Sequence, residues 1–558
     1  MGQWNAFEED KDLVRQKLQE GFIDHLEVVS QVVETQFFHT FIGNGDMARL
    51  AATYPCPRKK VEVPLWLYLS SQITLRLHGA PGYSSLPYIL DCGGLRDALE
   101  SGQATRKQDP ETGKNFVEFK GYNRKNHYSR KTPCDKDFIR KVARDTKPQA
   151  LEGWFSRDVP RYFQSLNAYD TDGIFIIDGS YLFVPDNDHY EGSKVGYFDA
   201  HNHPISKEEE EKLTPAERKR CRFRRYYRTV ALSHTNRRQE YRVYVGARVL
   251  RDEGHEVKAL SPMVDAFVAA LGKGVMKLLI LDRGFIDGES LGHIKQTHDV
   301  DFLIPLKARM SITDEAWRLA EVDGSPWQIW TPPPKVPPPH PPQRPECIRR
   351  AEEKRQRKLA QKRQDEGKPP PRRLVRLELK LIPKMDIWEE CPVPLNVVVM
   401  REYYSDGDVS KWGLMTTLAV HDPLDIRQLY HLRTSCEEGW RQTKCYWDLT
   451  GFRSCRLSLV TCQVIFVLLA YSLLQLFLLK SDRGEIANST REKLLAELLP
   501  DGDKVAVYWG NHVGYFGVKE YTAIILNLTE GARRRLLGTI SRLTKLQFEP
   551  PALPQRPT

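Results

Sequence analysis

The sequence predicts an α/β protein in which a mixed sheet is flanked by helices and interrupted by a β-rich insertion. Between residues 172 and 307, three β-rich runs precede a helix pattern, a strand, a second helix pattern and a last strand. This order is typical of one α/β sheet rather than of separate β and α domains. Two of the runs, "IFII" at 174–177 and "LLIL" at 278–281, are wholly apolar, which indicates central strands covered on both faces.

The region before this sheet is predicted to be helical. Apolar residues recur with a helical period in "DLVRQKLQEGFIDHLEVVSQVVETQFFHTFI" and in "VPLWLYLSSQITLRL", so we assign residues 1–165 to a helical N-terminal domain. Within it, residues 103–147 carry 13 Lys and Arg against 6 Asp and Glu, with aromatic residues between them. Such a stretch suits contacts with DNA phosphates; an ordinary solvated surface gives the same pattern.

The predicted core is discontinuous. It consists of residues 172–307 and 410–480, separated by an insertion at 308–409 in which β-rich text surrounds a proline-rich and basic segment at 332–376. Nine of the fourteen residues from 332 to 345 are proline, so that stretch is expected to be extended and solvated. The segment fits either contact with a DNA backbone or an insertion tolerated in a surface loop. Residues 481–558 form a predicted C-terminal helical region.

The composition is that of a globular protein with a basic surplus. The 558 residues are 41% hydrophobic and 28% charged, and 83 Lys and Arg exceed 73 Asp and Glu, giving a net charge of +10. The surplus favours a polyanionic partner. The ten cysteines contain no C-x-x-C pair, which argues against a paired-cysteine zinc site, and they are too sparse for a disulfide-rich scaffold.

Two segments bear on where the protein resides. The start, "MGQWNAFEEDKD", lacks the apolar region of a signal peptide, so we expect a cytoplasmic protein. Residues 457–479 contain no charged side chain and are long enough to cross a bilayer. Because polar residues dilute this segment, we expect a buried core helix; the alternative, a membrane span, predicts a protein that needs detergent.

Two aspartates follow the apolar runs in the same way. Asp178 comes directly after "IFII" and Asp282 directly after "LLIL", and each has a glycine close by. Each aspartate is therefore expected where its strand leaves the buried part of the sheet. Either one alone also fits a turn residue.

A third acid lies on a predicted helix that contains "YHLRTSCEEGWRQTK" at residues 430–444. Asp422 is the expected N-cap, followed by Pro423 at the first helical position. With about 100° per residue, one arc of roughly 60° holds four polar residues, namely Tyr430, Arg433, Glu437 and Lys444. Glu438 falls outside this arc, so Glu437 is the candidate ligand.

These residues suit chemistry on a phosphodiester. If the sheet brings Asp178 and Asp282 together and the helix adds Glu437, three converging carboxylates need a cation. Mg²⁺ prefers such oxygen ligands, and two Mg²⁺ ions can activate a nucleophile and stabilise a leaving oxygen in phosphoryl transfer. Arg433, Lys444 and Tyr430 are then candidates for binding phosphate.

The pattern Y-(2)-R-(3)-E-(6)-K resembles the signature of bacterial DDE transposases of the insertion-sequence-four type. "FIIDGS" and "ILDRGF" resemble the strands that carry the first two acids of the family, and "FLIPLK" the strand that follows. The resemblance covers about residues 172–480. It implies a ribonuclease-H-like core with Asp178, Asp282 and Glu437 as catalytic residues that bind two Mg²⁺ or Mn²⁺ ions.

The resemblance also implies a function. Such a transposase cleaves the ends of its own insertion sequence and joins the 3′-OH ends to target DNA, as a homodimer, by cut-and-paste with a hairpin intermediate. The segment "KWGLMTTL" is similar to the one that bears a base-stacking tryptophan, which points to Trp412; a tryptophan of the core is the alternative. By position, residues 1–165 would bind the element ends. A catalytically silent, transposase-derived DNA-binding protein is the alternative function, and the intact triad argues against it.

Overall fold

We analysed a computed structural model of the chain. It describes the following residues: 3–6, 8–29, 37–38, 40–42, 45–59, 63–77, 82–86, 95, 104–108, 115–120, 136–200, 202–251, 255–333, 372–480, 504–510 and 512–548. Residues 103, 109–114 and 121–135 of the basic stretch and residues 334–371 of the proline-rich segment lie outside this part.

The helices follow the apolar patterns along the chain. In chain order they are α1 (Lys11–Glu20), α2 (Asp46–Ala52), α3 (Leu65–Leu77), α4 (Lys136–Asp145), α5 (Pro148–Ser165), α6 (Lys207–Lys212), α7 (Pro215–Arg220), α8 (Leu260–Leu271), α9 (Gly288–His298), α10 (Ser311–Val322), α11 (Pro423–His431), α12 (Thr434–Tyr446), α13 (Leu457–Lys480), α14 (Val518–Leu526) and α15 (Glu530–Phe548).

The strands are concentrated between residues 174 and 416, with further strands near both ends of the chain. In chain order they are β1 (Gln3–Ala6), β2 (Glu8–Glu9), β3 (His25–Val29), β4 (Ala104–Gln108), β5 (Asn115–Lys120), β6 (Ile174–Val184), β7 (Lys194–Phe198), β8 (Arg222–Thr235), β9 (Arg242–Leu250), β10 (Leu278–Ile280), β11 (Asp301–Pro305), β12 (Gln328–Trp330), β13 (Leu374–Met385), β14 (Leu395–Tyr404), β15 (Val409–Thr416), β16 (Lys504–Trp509) and β17 (His512–Gly517).

The chain divides into two compact units whose boundaries differ from the predicted domains. Unit 1 comprises residues 1–173, 178–275 and 435–558, and unit 2 comprises residues 174–177 and 276–434. One boundary falls inside β6, after Ile177, and another falls in the first turn of α12, after Thr434. The predicted core is thus shared between the units, and the two terminal regions belong to one unit.

Unit 2 is built on a mixed sheet. The short strand β10 pairs in parallel with β11 and with the first residues of β6. On the other side of β11 the order continues through the antiparallel strands β15, β14, β13 and β12. The strands of the predicted insertion therefore extend the sheet that contains β10, and runs of consecutive buried residues in β13 and β14 belong to its core.

In unit 1, β8 pairs antiparallel with β7 and β9 and lies next to β6. The apolar helix α13 packs against β9, α5 and α3. Among the described residues, 457–479 are long and apolar enough to cross a membrane, yet 94% of their most apolar window is buried inside the protein. The predicted core helix is confirmed, because an all-round apolar helix finds neighbours on every side here.

The two ends of the chain form one sheet in unit 1. Strand β3 pairs with β16, β16 with β17, and β17 in parallel with β2. Their apolar core includes Val14, Val507 and Leu536. The regions predicted to be helical, 1–165 and 481–558, do contain helices, but each also contributes strands that were not predicted, whose hydrogen-bonding partners lie far away in sequence.

Candidate active site

Asp178 lies in the middle of a long strand. Strand β6 continues from Ile174 to Val184, but its fully buried run ends at Asp178 and the next three residues are partly exposed, so the aspartate lies where the strand leaves its buried part, as expected. The Asp178 residue is 7% exposed. Because successive side chains in a strand point to opposite faces, Asp178 and Ser180 share one face of β6.

Asp282, in contrast, follows the end of its strand. Strand β10 stops at Ile280, and the carboxylate of Asp282 accepts a hydrogen bond of 2.6 Å from the backbone N–H of Arg283, at the start of a short 3₁₀ helix. The Arg433 Nη2 atom lies 3.0 Å from Asp282 Oδ2, and the Asp282 side chain is 40% exposed. The carboxylate is thus both a turn residue and the partner of a cation.

The two aspartates follow paired residues of neighbouring strands at the same distance in sequence. In unit 2, Ile176 of β6 pairs with Ile280 of the parallel strand β10. Asp178 and Asp282 each follow their paired isoleucine by two residues. The repeated sequence pattern therefore corresponds to a repeated position in neighbouring parallel strands.

The third acid lies on a helix that begins later than predicted. The segment is two helices, with Leu432 and Arg433 in the turn between α11 and α12. Arg433 N–H donates to the Tyr430 carbonyl at 3.0 Å, and the hydroxyl of Thr434 donates to the His431 carbonyl at 2.7 Å. These local hydrogen bonds end α11, because a side-chain hydroxyl that bonds to a nearby carbonyl competes with the regular backbone hydrogen bonds of a helix. The single helix face predicted for all four residues is wrong.

The remaining features of this segment agree with the prediction. Asp422 caps α11 by accepting a hydrogen bond from the Leu424 N–H, and Pro423 follows at the first position. Glu437 and Lys444 both lie on α12, seven residues or about two turns apart. Glu437 is exposed, whereas its neighbour Glu438 binds Arg441 and Gln442.

Buried residues of β8 and β9 hold the first turn of α12. The Arg242 side chain is buried, and its Nη1 atom donates to Ser233 Oγ at 3.0 Å and to Cys436 Sγ at 2.9 Å. Its Nη2 atom donates to the hydroxyl of Ser435. Three hydrogen bonds from one guanidinium fix the residues immediately before Glu437.

Gly439 lets α12 approach β9 closely. A Cβ atom at this position would lie 2.7 Å from the Tyr244 hydroxyl and 3.2 Å from Arg242 Cδ. The helix therefore packs against β9 at a distance that only glycine permits without movement of its neighbours.

Lys444 connects α12 with the strand of Asp178. Its Nζ atom lies 2.5 Å from Ser180 Oγ. Burial lowers the pKa of Lys444 to about 8, and the nearby charge of Asp178 opposes that shift. Within unit 1, the structure thus places Lys444 beside Asp178, at a position where a proton can be lost near neutral pH.

Trp412 and Tyr430, two predicted DNA-binding residues, lie together in unit 2. Their ring centroids are 6.0 Å apart and the planes are inclined by 57°. The guanidinium carbon of Arg427 lies 5.4 Å from the Trp412 ring centroid. Trp412 is partly exposed, so it is not a fully buried tryptophan of the core.

Sequence reasoning missed two residues that shape the site. Ser180 is signalled only by its position two residues after Asp178, on the same face of the strand. Arg242 carries no signal, because an arginine that alternates with apolar residues in "EYRVYV" predicts a solvated side chain. Its burial depends on partners more than 190 residues away, Ser435 and Cys436.

The donor chemistry fits a divalent cation. Asp178 is a nearly buried carboxylate with the ammonium group of Lys444 close by, and Asp282 is paired with Arg433. Buried or clustered carboxylates require such positive charge, and carboxylate oxygens are the ligands that Mg²⁺ and Mn²⁺ prefer.

A mixed sheet flanked by helices, in which β10 pairs in parallel with β11 and with the first residues of β6, defines the chain as an α/β protein. The family model described as "Transposase DDE domain" matches residues 171–473. This match covers more than half of the 558 residues, and the chain belongs to this family. No curated protein matches the sequence. The protein is a DDE transposase, a class of enzyme that binds DNA and uses a divalent metal to cleave and join it.

Proposed function

We propose that the protein is an insertion-sequence transposase of the insertion-sequence-four type. It cleaves the ends of its own element and joins the resulting 3′-OH ends to target DNA by cut-and-paste. The observation that carries the proposal is the parallel pairing of β6 with β10, after which Asp178 and Asp282 each follow a paired isoleucine by two residues, within a chain of the transposase DDE family. The Y-(2)-R-(3)-E-(6)-K pattern at residues 430–444 supports the type.

Asp178, Asp282 and Glu437 are the proposed ligands and catalytic residues, in a ribonuclease-H-like core. Two bound Mg²⁺ ions would supply activation of a water or 3′-hydroxyl and stabilisation of the leaving oxygen. Side chains of the protein itself bind the phosphates of the DNA. The guanidinium of Arg433, which lies 3.0 Å from Asp282, is a planar fork of N–H donors of the kind that binds a phosphate.

Lys444 supplies a second positive charge for the DNA. Ser180 accepts a hydrogen bond from its Nζ atom, which orients the ammonium group along the face of β6 that carries Asp178. Its partial burial strengthens the attraction to a phosphate oxygen, because solvent screens the charge less there. Tyr430 offers a hydroxyl donor to the same backbone.

Trp412 is the proposed stacking platform for a base that is flipped out while a hairpin forms at the element end. Its partial exposure and its contacts with Tyr430 and Arg427 support this role, because a held ring loses little entropy when a base stacks on it. The proposal includes a homodimer that pairs two element ends, end binding by residues 1–165, and location in the bacterial cytoplasm at the nucleoid.

The test uses purified protein, Mg²⁺ and a plasmid that carries the flanking DNA of the gene. Wild type is expected to nick or excise at those ends. Glu437→Gln is expected to lose the activity, and Glu438→Gln serves as the matched control, because that neighbouring acid is bound to Arg441 within its own helix. Binding of the ends without any cleavage by wild type would instead establish the silent DNA-binding alternative.

A further inference from the structure

The face of β6 opposite Asp178 carries a second set of ordered residues. Tyr181 and Phe183 alternate with Ser180 and Leu182 along the strand, so they point away from the Asp178 face. The neighbouring strand β8 begins in the basic run "RKRCRFRR" at 218–225, in which six of eight residues are Arg or Lys. All of these residues belong to unit 1.

The rings on this face form one packed layer. The ring centroids of Tyr181 and Tyr226 are 5.2 Å apart, and both rings meet Phe198 at 5.2 Å with planes near perpendicular. Phe183 lies 5.0 Å from Phe198. Phe198 is buried, whereas Tyr181, Phe183 and Tyr226 are partly exposed. The layer is therefore a packed aromatic surface whose outer side is partly exposed to solvent.

Arginine side chains stack on this aromatic surface. The guanidinium carbon of Arg224 is 4.5 Å from the Phe183 ring centroid, and that of Arg228 is 5.0 Å from the Tyr181 centroid. Arg222 shares the parity of Arg224 along β8 and is exposed. A guanidinium stacked on a ring keeps its N–H edge available for a phosphate and has already lost much of its rotational freedom. We call these six residues the arginine platform: Tyr181, Phe183, Arg222, Arg224, Tyr226 and Arg228.

The charge of the arginine platform differs from that of the other face of β8. Arg225, which points to the other face, is neutralised by Asp186 and Asp188. Among the described residues of the platform, only Arg228 forms an ion pair with an acid, Glu256. Two further basic residues precede the platform on the surface, Lys219 and Arg220, and both are exposed, whereas Arg218 before them pairs with Glu210. The platform thus presents a net positive surface complementary to a polyanion.

We infer that the arginine platform binds the phosphate backbone of a DNA segment other than the segment cut at the catalytic carboxylates. Its position on the opposite face of β6 from Asp178 separates the two contacts, so one duplex end cannot lie on both faces of the same strand. The occupant is double-stranded DNA, recognised by charge and not by sequence. This inference rests on the proposed function only in that the partner is DNA.

The experiment measures DNA affinity against salt concentration for full-length wild type, for Arg222→Gln/Arg224→Gln and for the matched control Arg237→Gln/Arg238→Gln. The control removes the same charge from the exposed turn after β8, where Arg238 has 84% side-chain exposure. Each lost phosphate contact lowers the slope of log K against log salt by roughly 0.9. The platform variant is therefore expected to lose about 1.8 in slope on a long duplex, and the control almost none.

Phe183→Leu separates ring stacking from charge. It keeps the apolar packing and the net charge but removes the ring beneath Arg224, so the affinity is expected to fall about two- to five-fold with the slope unchanged. Equal melting curves for all variants verify folding.

Equal slopes for platform and control variants would overturn the inference, as would binding of an acidic peptide that outcompetes DNA at the platform. Metal-dependent nicking of a short element-end duplex is expected to remain in the platform variant. Failure of nicking in wild type would refute the proposed function, while the slope comparison would still decide the role of the platform.

Discussion

Replacing Gly439 by alanine tests whether the close packing of α12 on β9 positions Glu437. The new Cβ atom would lie 2.7 Å from the Tyr244 hydroxyl and 3.2 Å from Arg242 Cδ. The Tyr244 ring is buried and contacts Tyr471 and Trp440, so it cannot swing aside. The helix must therefore move.

The size of the effect follows from these distances. To restore an ordinary contact of about 3.4 Å, the helix has to shift by roughly 0.7 Å, and a displacement near 1 Å in a catalytic arrangement reduces rates by about 10²-fold. For stability, the gain of about 1 kcal/mol in helix propensity is offset by about 1–3 kcal/mol of overpacking. We expect cleavage to be about 10- to 100-fold slower, with little gain in stability.

The assay compares single-turnover cleavage of the element end and denaturant unfolding for wild type, Gly439→Ala and Gly538→Ala. Gly538 lies in α15, and a Cβ atom there would meet nothing within 4 Å. The control variant is therefore expected to be stabilised by about 0.5–1 kcal/mol and to cleave normally. Gly439→Ala that cleaves at the wild-type rate and gains the same stability would refute the packing argument.

Three further outcomes are expected. Arg242→Met removes the guanidinium that binds Ser233, Ser435 and Cys436, so cleavage is expected to fall at least roughly tenfold with unchanged end affinity; equal loss of affinity and rate would contradict a positioning role. Because burial lowers the pKa of Lys444 to about 8 from 10.5, its charge is complete below that pH and is lost as the pH rises through it. DNA affinity is therefore expected to fall by up to about tenfold per pH unit above about 8, and Lys444→Arg should remove this dependence in a binding titration. Trp412→Ala is expected to reduce hairpin formation by about tenfold or more, since base stacking contributes about 1–3 kcal/mol. The first nick, followed on a sequencing gel, is expected to continue. Loss of nicking in this variant would contradict a role confined to hairpin formation.

The fold could be predicted where local pattern and tertiary environment agree. The apolar runs before Asp178 and Asp282 predicted central strands, and in the structure these strands pair in parallel, with Ile176 opposite Ile280. The helix at 457–479 was predicted to be buried because polar residues interrupt it, and it packs inside unit 1. In each case the residues themselves carry the information about burial.

The errors arise where partners are distant in sequence. Strand β3 forms because β16, more than 470 residues later, supplies its hydrogen bonds, and no local pattern reveals that pairing. The break between α11 and α12 depends on backbone bonds made by Thr434 and Arg433, which a periodic pattern of side chains does not show. Arg242 was missed for the same reason, because its burial is a property of its neighbours.

The most direct measurement replaces Mg²⁺ by Fe²⁺ and maps where peroxide-generated radicals cut the polypeptide. Radicals form at the bound iron, so cleavage occurs beside its ligands. If Asp178, Asp282 and Glu437 bind one metal site, three groups of fragments are expected, ending near residues 178, 282 and 437. All of them should disappear in Glu437→Gln and persist in Glu438→Gln. Cuts at other positions, or an unchanged pattern in Glu437→Gln, would contradict the assignment of Asp178, Asp282 and Glu437 to one metal site.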